Sequence, residues 1–566
     1  MLDLVSENLG VVPIVVSGGA ALLPAILAGL TTALTLLFKP RELYHACRRR
    51  PIVAGGIAGV LLAIGATILL VMQSGDDTGT RRRGTATEAN GKRRIDWVIV
   101  AQEILQAEEA GAPSRWLVTQ PTKDENPSEP KTNPQPTKDP VTPAEPERSV
   151  IFRGGVERTG YDGGPVPTDL KLRWRHYPRW VEDDGTQEQD RDAMILSSPV
   201  ARGNRIFGAS CTLDPPGNYG AVFCLDAESG RQIWSVDEVD GDLLKGVFSS
   251  PAISADGRFL VIGQGLHPDA NCRLLCFDAK TGRHRWSVSS ELHIESSPAI
   301  EGNTVVVGAG AIEDPNTHKP ISHPGYVLAV HLETGKELWR YDVADPESSP
   351  AIRDGVVYIG SGFNGQSLVA LRIEPDDELK KNGQNRLLWR SPVKYPVTGA
   401  ATVTDERVFV GAGNGDFVFR DPKPAGVVIA VHRKTGKRLW NRPMPDAVLG
   451  AVAAAGDLLV CPCANGEVVA LSATDGEVRW RSRVSGHAPV LAGCALAGES
   501  VFAVSKDGYL ARLNAKTGER LERHYLNATG RPGNLGLTLS SPFVHGGKLY
   551  VGSETGGLSC YVGGKK

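Results

Sequence analysis

The sequence predicts an all-β fold: an eight-bladed β-propeller of four-stranded antiparallel blades filling residues 149–566. Three observations predict it. Tryptophan recurs at Trp234, Trp286, Trp339, Trp389, Trp440 and Trp480, about 40 to 53 residues apart, the period of a repeat architecture. A glycine stands four residues before most of them: Gly230, Gly282, Gly335, Gly436 and Gly476. A strand opener reading Ser-Ser-Pro follows, at Ser197, Ser249, Ser296, Ser348 and Ser540.

One unit, 348–389, displays the elements in order. Ser-Ser-Pro-Ala-Ile opens a strand, Arg-Asp-Gly turns it, and the run VVYIG at 356–360 is the second strand. The runs SLVALRI from 367 and LLWR from 387 are the third and fourth. β-Branched and aromatic residues bounded by Gly, Asp and Asn are the mark of strands and hairpin turns. A blade alone cannot cover both faces, so it needs neighbours around a ring.

Degenerate openers near Gly399, Gly450 and Ala488 bring the count of units to eight. The last unit, from Ser540, stops before a fourth strand, and the run LKLRWRHY from Leu170, with Trp174, supplies the missing one. This closure removes two exposed sheet edges. In the seventh unit, Gly518 is followed by Glu522 where tryptophan belongs, which predicts the loosest joint.

The phrases AVHLETGKELW at 329–339 and CFDAKTGRHRW at 276–286 resemble the tryptophan-docking repeat of the pyrroloquinoline-quinone (PQQ) propellers. The run FRGGVERTG at 152–160 looks like their lead-in. The resemblance implies Trp174, Trp234, Trp286, Trp339, Trp389, Trp440 and Trp480 as docking residues, with Gly230, Gly282, Gly335, Gly436, Gly476 and Gly518 in the turns. It leaves function open. The family includes quinoprotein alcohol and glucose dehydrogenases, and also BamB, a cofactor-free propeller lipoprotein of outer-membrane assembly.

Outside the ring, residues 1–8 form a short tail and 9–38 contain one uncharged run long enough to cross a hydrocarbon core. Residues 51–72 are a second. The basic loop at 39–50 between them places itself in the cytoplasm and both chain ends outside, although the basic triplets at 81–83 and 92–94 favour the opposite topology. The acidic n-region and the length of the first run argue against a cleaved signal. No lipoprotein cysteine follows the first run before Cys47. Residues 73–148 read as a linker with a short amphipathic helix at 95–110 and a Pro-rich stalk at 121–147, too poor in apolar residues to fold alone. The expected location is the inner membrane of a bacterium, multi-pass, with a periplasmic propeller held to the bilayer by two helices.

The chemistry-bearing motifs are sparse. A net charge of −2 gives no basic surface for nucleic acid. There is no Cys-x-x-Cys-His, no paired Cys-x-x-Cys, no adjacent Cys-Cys of the kind quinoprotein alcohol dehydrogenases hold against their cofactor, and no phosphate loop. Cys224 and Cys276 read as small core residues, and Cys461 and Cys463 point to one side of a strand. Long loops between second and third strands follow Thr212, Leu266, Ile312 and Asn414, all on one face, which marks either a binding face or drift in surface loops. On that face Glu295 and Glu347 each precede Ser-Ser-Pro. They are either solvated charges, the simpler reading, or an oxygen pair across the channel mouth suited to calcium or a polar ligand. His267, His293, His318 and His323 lie in the same region, as surface residues or as metal ligands. The favoured expectation is a non-enzymatic scaffold, with no catalytic residue or cofactor, binding a protein or envelope component; the alternative is a quinoprotein oxidoreductase using PQQ and calcium.

Overall fold

The computed structural model describes residues 150–181, 187–214, 217–312, 320–528 and 535–564. The two expected spans, the basic loop, the 95–110 helix and the stalk lie outside the described residues. Among the described residues no helix is long and apolar enough to cross a membrane. The chain divides into two units, 1–144 and 145–566, and every described residue belongs to the second.

Among its described residues are seven four-stranded sheets and one five-stranded sheet, the blades of a propeller, with three two-stranded ribbons besides. Blades 1 to 7 span 200–236, 252–290, 299–342, 351–392, 402–444, 453–483 and 495–525. Blade 8 takes three strands from 543–563 and its outermost strand from Leu170–His176, antiparallel to Leu558–Gly563. The ring closes as the sequence predicts.

Each docking tryptophan pairs across the sheet with a small residue of the third strand: Trp234 with Cys224, Trp286 with Cys276, Trp339 with Ala329, Trp174 with Cys560. A larger side chain there would displace the indole. The indole N–H then donates to a carbonyl of the next blade, as Trp174 to Ala227 at 3.1 Å and Trp286 to Leu332 at 2.8 Å. The turn glycine serves its neighbour. Gly230 lies under Trp174, Gly282 under Trp234 and Gly518 under Trp480, where an added Cβ would approach the rings to 2.5, 2.7 and 2.6 Å. These glycines also have positive φ, so two constraints coincide.

Blade 4 departs from the pattern because its last turn carries the helix Asp376–Lys381. Arg386 replaces the glycine, its guanidinium 4.1 Å from the Trp339 ring centre and bonded to the carbonyls of Arg372 and Glu374. Blade 7 corrects the expectation of a loose joint. Glu522 pairs with Arg512 where other blades pair tryptophan with a small residue. Its carboxylate accepts the backbone N–H of Asp169 at 3.0 Å and of Leu170 at 2.6 Å, at the start of the closing strand. An ionic latch replaces the indole contact.

The Ser-Ser-Pro openers form a belt around the inner strands. Ser249 Oγ donates to the Ser296 carbonyl, Ser296 Oγ to that of Ser348, and Ser540 Oγ to that of Ser197, at 3.0, 3.1 and 3.1 Å. The second serines accept from the preceding blade, as Ser541 Oγ does from the Gly493 N–H at 2.9 Å. Interblade backbone groups are thereby satisfied where no water reaches.

The lead-in winds across the opposite end of the ring. Val150 bridges to Ile253, the Val156 carbonyl accepts from Ile352, that of Glu157 from Val403, and that of Thr159 from Ala454. Tyr161–Asp162 then pairs in parallel with Ala495–Ala497. Arg153 and Arg158 are buried there and donate to backbone carbonyls, Arg158 to those of Pro350, Phe152, Ser297 and Pro298. Burial, with the Arg153 charge adding to it, pulls the Arg158 guanidinium down to about 9.

Candidate functional site

The face opposite the lead-in gathers the long loops. Asn218 of the blade 1 loop bonds both carboxylate oxygens of Asp269 in the blade 2 loop, at 3.2 and 3.0 Å. Asp269 also accepts the Leu266 N–H at 2.7 Å, which shapes the turn that carries His267. Phe417 of the blade 5 loop packs on Phe248, ring centres 5.8 Å apart, and Lys506 of blade 7 donates to the Val418 carbonyl at 3.1 Å. The described part of the blade 3 loop resumes at Pro320. Ile321, Val418 and Phe419 project from these loops, with Ile321 68% and Phe419 74% exposed.

Beneath them lies the channel mouth. The belt of serines fixes the backbone just after Glu295 and Glu347, and both carboxylates line one cavity of about 70 Å³ with Phe248, Phe417, Leu449 and Leu539, floored by Phe152. Neither is a freely solvated charge: both are half-buried, and the Glu347 side chain is 11% exposed. His267 Nδ1 lies 2.6 Å from Glu347 Oε1. His293, fully buried, brings Nε2 to 3.6 Å from the same oxygen and 3.1 Å from the Ala311 carbonyl. The Glu295 carboxylate accepts the His267 backbone N–H.

The electrostatics follow. Burial, reinforced by the Glu347 charge, pushes the Glu295 carboxyl up to about 8. Burial also opposes charge on Glu347, but the hydrogen bond and charge of His267 outweigh it and hold that carboxyl below its ordinary value. Burial works against a charged His267 as well, and the Glu347 contact overcomes it and raises the imidazole. Burial lowers His293. The mouth thus carries one ion pair, one proton-holding carboxyl and one neutral imidazole.

Of the four histidines in the predicted loops, His267 and His293 converge. His323 stands apart, its ring against Tyr326 and 3.8 Å from Asp342, and His318 lies outside the described residues. The oxygen pair suited to calcium is therefore a mixed nitrogen and oxygen cluster. Asp345, absent from the sequence reading, shapes it from behind: Oδ1 accepts from Ala311 at 3.1 Å and Oδ2 from Phe363 at 3.0 Å. Its positive φ of 49° at the blade 3 to blade 4 link has no local sequence signal beyond an Asp before proline.

Residues 218–373, 323–423 and 424–563, more than half of the chain, match the family model described as outer membrane protein assembly factor BamB. The chain belongs to this family. Within curated sequences it is 25% identical over 372 residues to outer membrane protein assembly factor BamB of Burkholderia pseudomallei, covering 58% of this chain and 86% of that one. It is 27% identical over 248 residues to the quinohemoprotein alcohol dehydrogenase ADH-IIG of Pseudomonas putida, covering 41% of this chain. The chain spans 32% of that dehydrogenase and 30% of the dehydrogenase subunit of Gluconobacter oxydans quinone alcohol dehydrogenase. The solved quinohemoprotein alcohol dehydrogenase of Comamonas testosteroni superposes with a TM-score of 0.50 at 15% identity, over 74% of this chain and 81% of that one, a likeness of fold alone. The relatives of this chain thus include propellers named for outer-membrane assembly and propellers named for quinone chemistry. The cavity at the mouth, about 70 Å³ between phenylalanine and leucine side chains, is small beside the roughly 300 Å³ at which small-molecule sites begin.

Proposed function

We propose that this chain is a membrane-anchored, extracytoplasmic, non-enzymatic scaffold of the bacterial envelope that docks a protein partner on the loop-bearing face of its propeller. One observation carries the reading. The inserted loops of blades 1, 2, 3 and 5 lie on one face and present Ile321, Val418 and Phe419 to solvent, over the small cavity at the channel mouth. Large exposed apolar side chains gathered on one face mark interaction sites. The family match supports an assembly role, and the uncharged runs at 9–38 and 51–72 would anchor the chain in the inner membrane.

Two experiments test it. A photo-crosslinking residue at Val418 captures a discrete envelope protein in cells, and adding Phe419→Asp and Ile321→Asp to that chain abolishes the adduct at unchanged protein level. Titration of the purified protein with PQQ and calcium gives no saturable absorbance change; a calcium-dependent quinone signal lost in Glu295→Ala would establish the dehydrogenase reading instead. For topology, a Ser128→Cys variant labels in intact cells with a thiol reagent that crosses the outer but not the inner membrane. Labelling only after lysis reverses the proposed orientation.

A further inference from the structure

We propose that His267, His293 and Glu347, with Glu295 at the edge, form a binding site for one divalent transition metal of the zinc type at the channel mouth. A ring nitrogen from each histidine and an oxygen of Glu347 all lie within 4.8 Å of one another. Around zinc, with bonds near 2.0–2.2 Å, neighbouring ligand atoms sit roughly 3.4 Å apart. The present spacings, 2.6 Å for His267 to Glu347 and 3.6 Å for His293 to Glu347, bracket that value. Small side-chain rotations bring three donors onto one centre.

An independent observation points to a missing ligand. His293 is wholly buried, and its Nδ1 has no hydrogen-bond partner. With the Nε2 proton on the Ala311 carbonyl, Nδ1 keeps an unshared lone pair in the interior. Leaving such an acceptor unsatisfied costs about 1–3 kcal/mol, and native proteins rarely tolerate it without a reason. A histidine with one nitrogen on a backbone carbonyl and the other without a partner is the usual state of a metal ligand whose orientation is set from behind. Nε2, the nitrogen measured toward Glu347, becomes a ligand when the ring proton moves to Nδ1 and the metal displaces the contact with the Ala311 carbonyl.

The donor set selects the ion. Two imidazoles with carboxylate suit zinc and its first-row neighbours, whereas calcium requires six or more oxygens. Glu295 shares the small cavity with Glu347, so a dication there would favour its ionised form beside the Glu347 charge. The metal would replace the proton between His267 Nδ1 and Glu347 Oε1, releasing it to solvent. Its place is structural as well as chemical: it would tie the blade 2 loop to the links that enter blades 3 and 4, directly beneath the exposed docking loops. The site stands whether or not a protein docks above it.

The test uses the purified full-length protein after chelation and dialysis. Calorimetric titration with zinc chloride is expected to show one site of micromolar affinity or tighter, and cobalt chloride to give the intense visible bands of a four-coordinate centre. His267→Gln and Glu347→Gln, whose side chains reach the cavity from its edge, each weaken zinc binding at least about tenfold. His323→Gln leaves it unchanged. Melting of the metal-free variants reports that they fold, and zinc raises the melting temperature of the parent and of His323→Gln only. Absence of saturable zinc binding up to 100-fold molar excess, or binding that survives both His267→Gln and Glu347→Gln, overturns the proposal.

Discussion

Glu522→Ala should loosen the ring at the point where its two ends meet. The carboxylate receives two backbone N–H groups of the closing strand, from Asp169 and Leu170, and a guanidinium from Arg512. Its side chain is 16% exposed and that of Arg512 14%, so solvent replaces the lost contacts poorly. Hydrogen bonds to a charged group contribute about 1.5–3 kcal/mol each, and partial exposure reduces that. The expected loss is therefore about 2–4 kcal/mol, with about half retained in Glu522→Gln, which keeps a neutral acceptor. Denaturant unfolding of parent and variants measures the total, and hydrogen exchange at residues 169–176 locates it. The pH dependence has a definite sign. Burial works to raise the Glu522 carboxyl, but the Leu170 amide and Arg512 outweigh it, so its folded pKa lies below the ordinary 4.5. The contribution is complete above pH 4.5 and is lost as pH falls through the depressed folded value. Glu522→Gln should lack that acid-limb slope. Stability within about 0.5 kcal/mol of the parent for Glu522→Ala, with unchanged exchange at 169–176, would refute the latch, since such a difference is that of an ordinary surface substitution.

Three further outcomes follow from the blade joints and the lead-in. Trp339→Ala, at 2% exposure and with Arg386 stacked on it, should cost about 3–5 kcal/mol in denaturant unfolding, and Trp440→Ala, only partly buried, clearly less; equal costs would contradict the ranking. Gly282→Ala forces a Cβ to 2.7 Å from Trp234, while Gly302→Ala meets nothing within 4 Å at a similar positive φ, so thermal melts should show the first falling well below the second. Arg158→Met strips four buried carbonyls of their donor and should cost about 3 kcal/mol or more by denaturant unfolding, a loss that a merely space-filling residue would not produce.

The blade number, the closing strand at Leu170–His176 and the docking tryptophans were legible in the chain because each depends on local pattern: a repeat period, alternation of apolar residues, and turn glycines. Even the exception was visible at Glu522, but its effect was not, because the amides it binds lie some 350 positions away, at Asp169 and Leu170. The same separation hid the role of the glycines. Gly282 stands four residues before Trp286 in the chain, yet the ring it admits is Trp234 of the preceding blade. Arg153 and Arg158 look like surface cations in sequence; coiling of the lead-in across the inner strands buries them among carbonyls. At the mouth, Glu295 and Glu347 could be selected from their place before Ser-Ser-Pro, and His267 and His293 from composition alone. Their chemistry arises from distances of a few ångströms between different blades, 2.6 Å from His267 to Glu347 and 3.6 Å from His293 to the same oxygen. A repeat encodes its own blade, whereas burial, charge pairing and ligand geometry are properties of the closed ring.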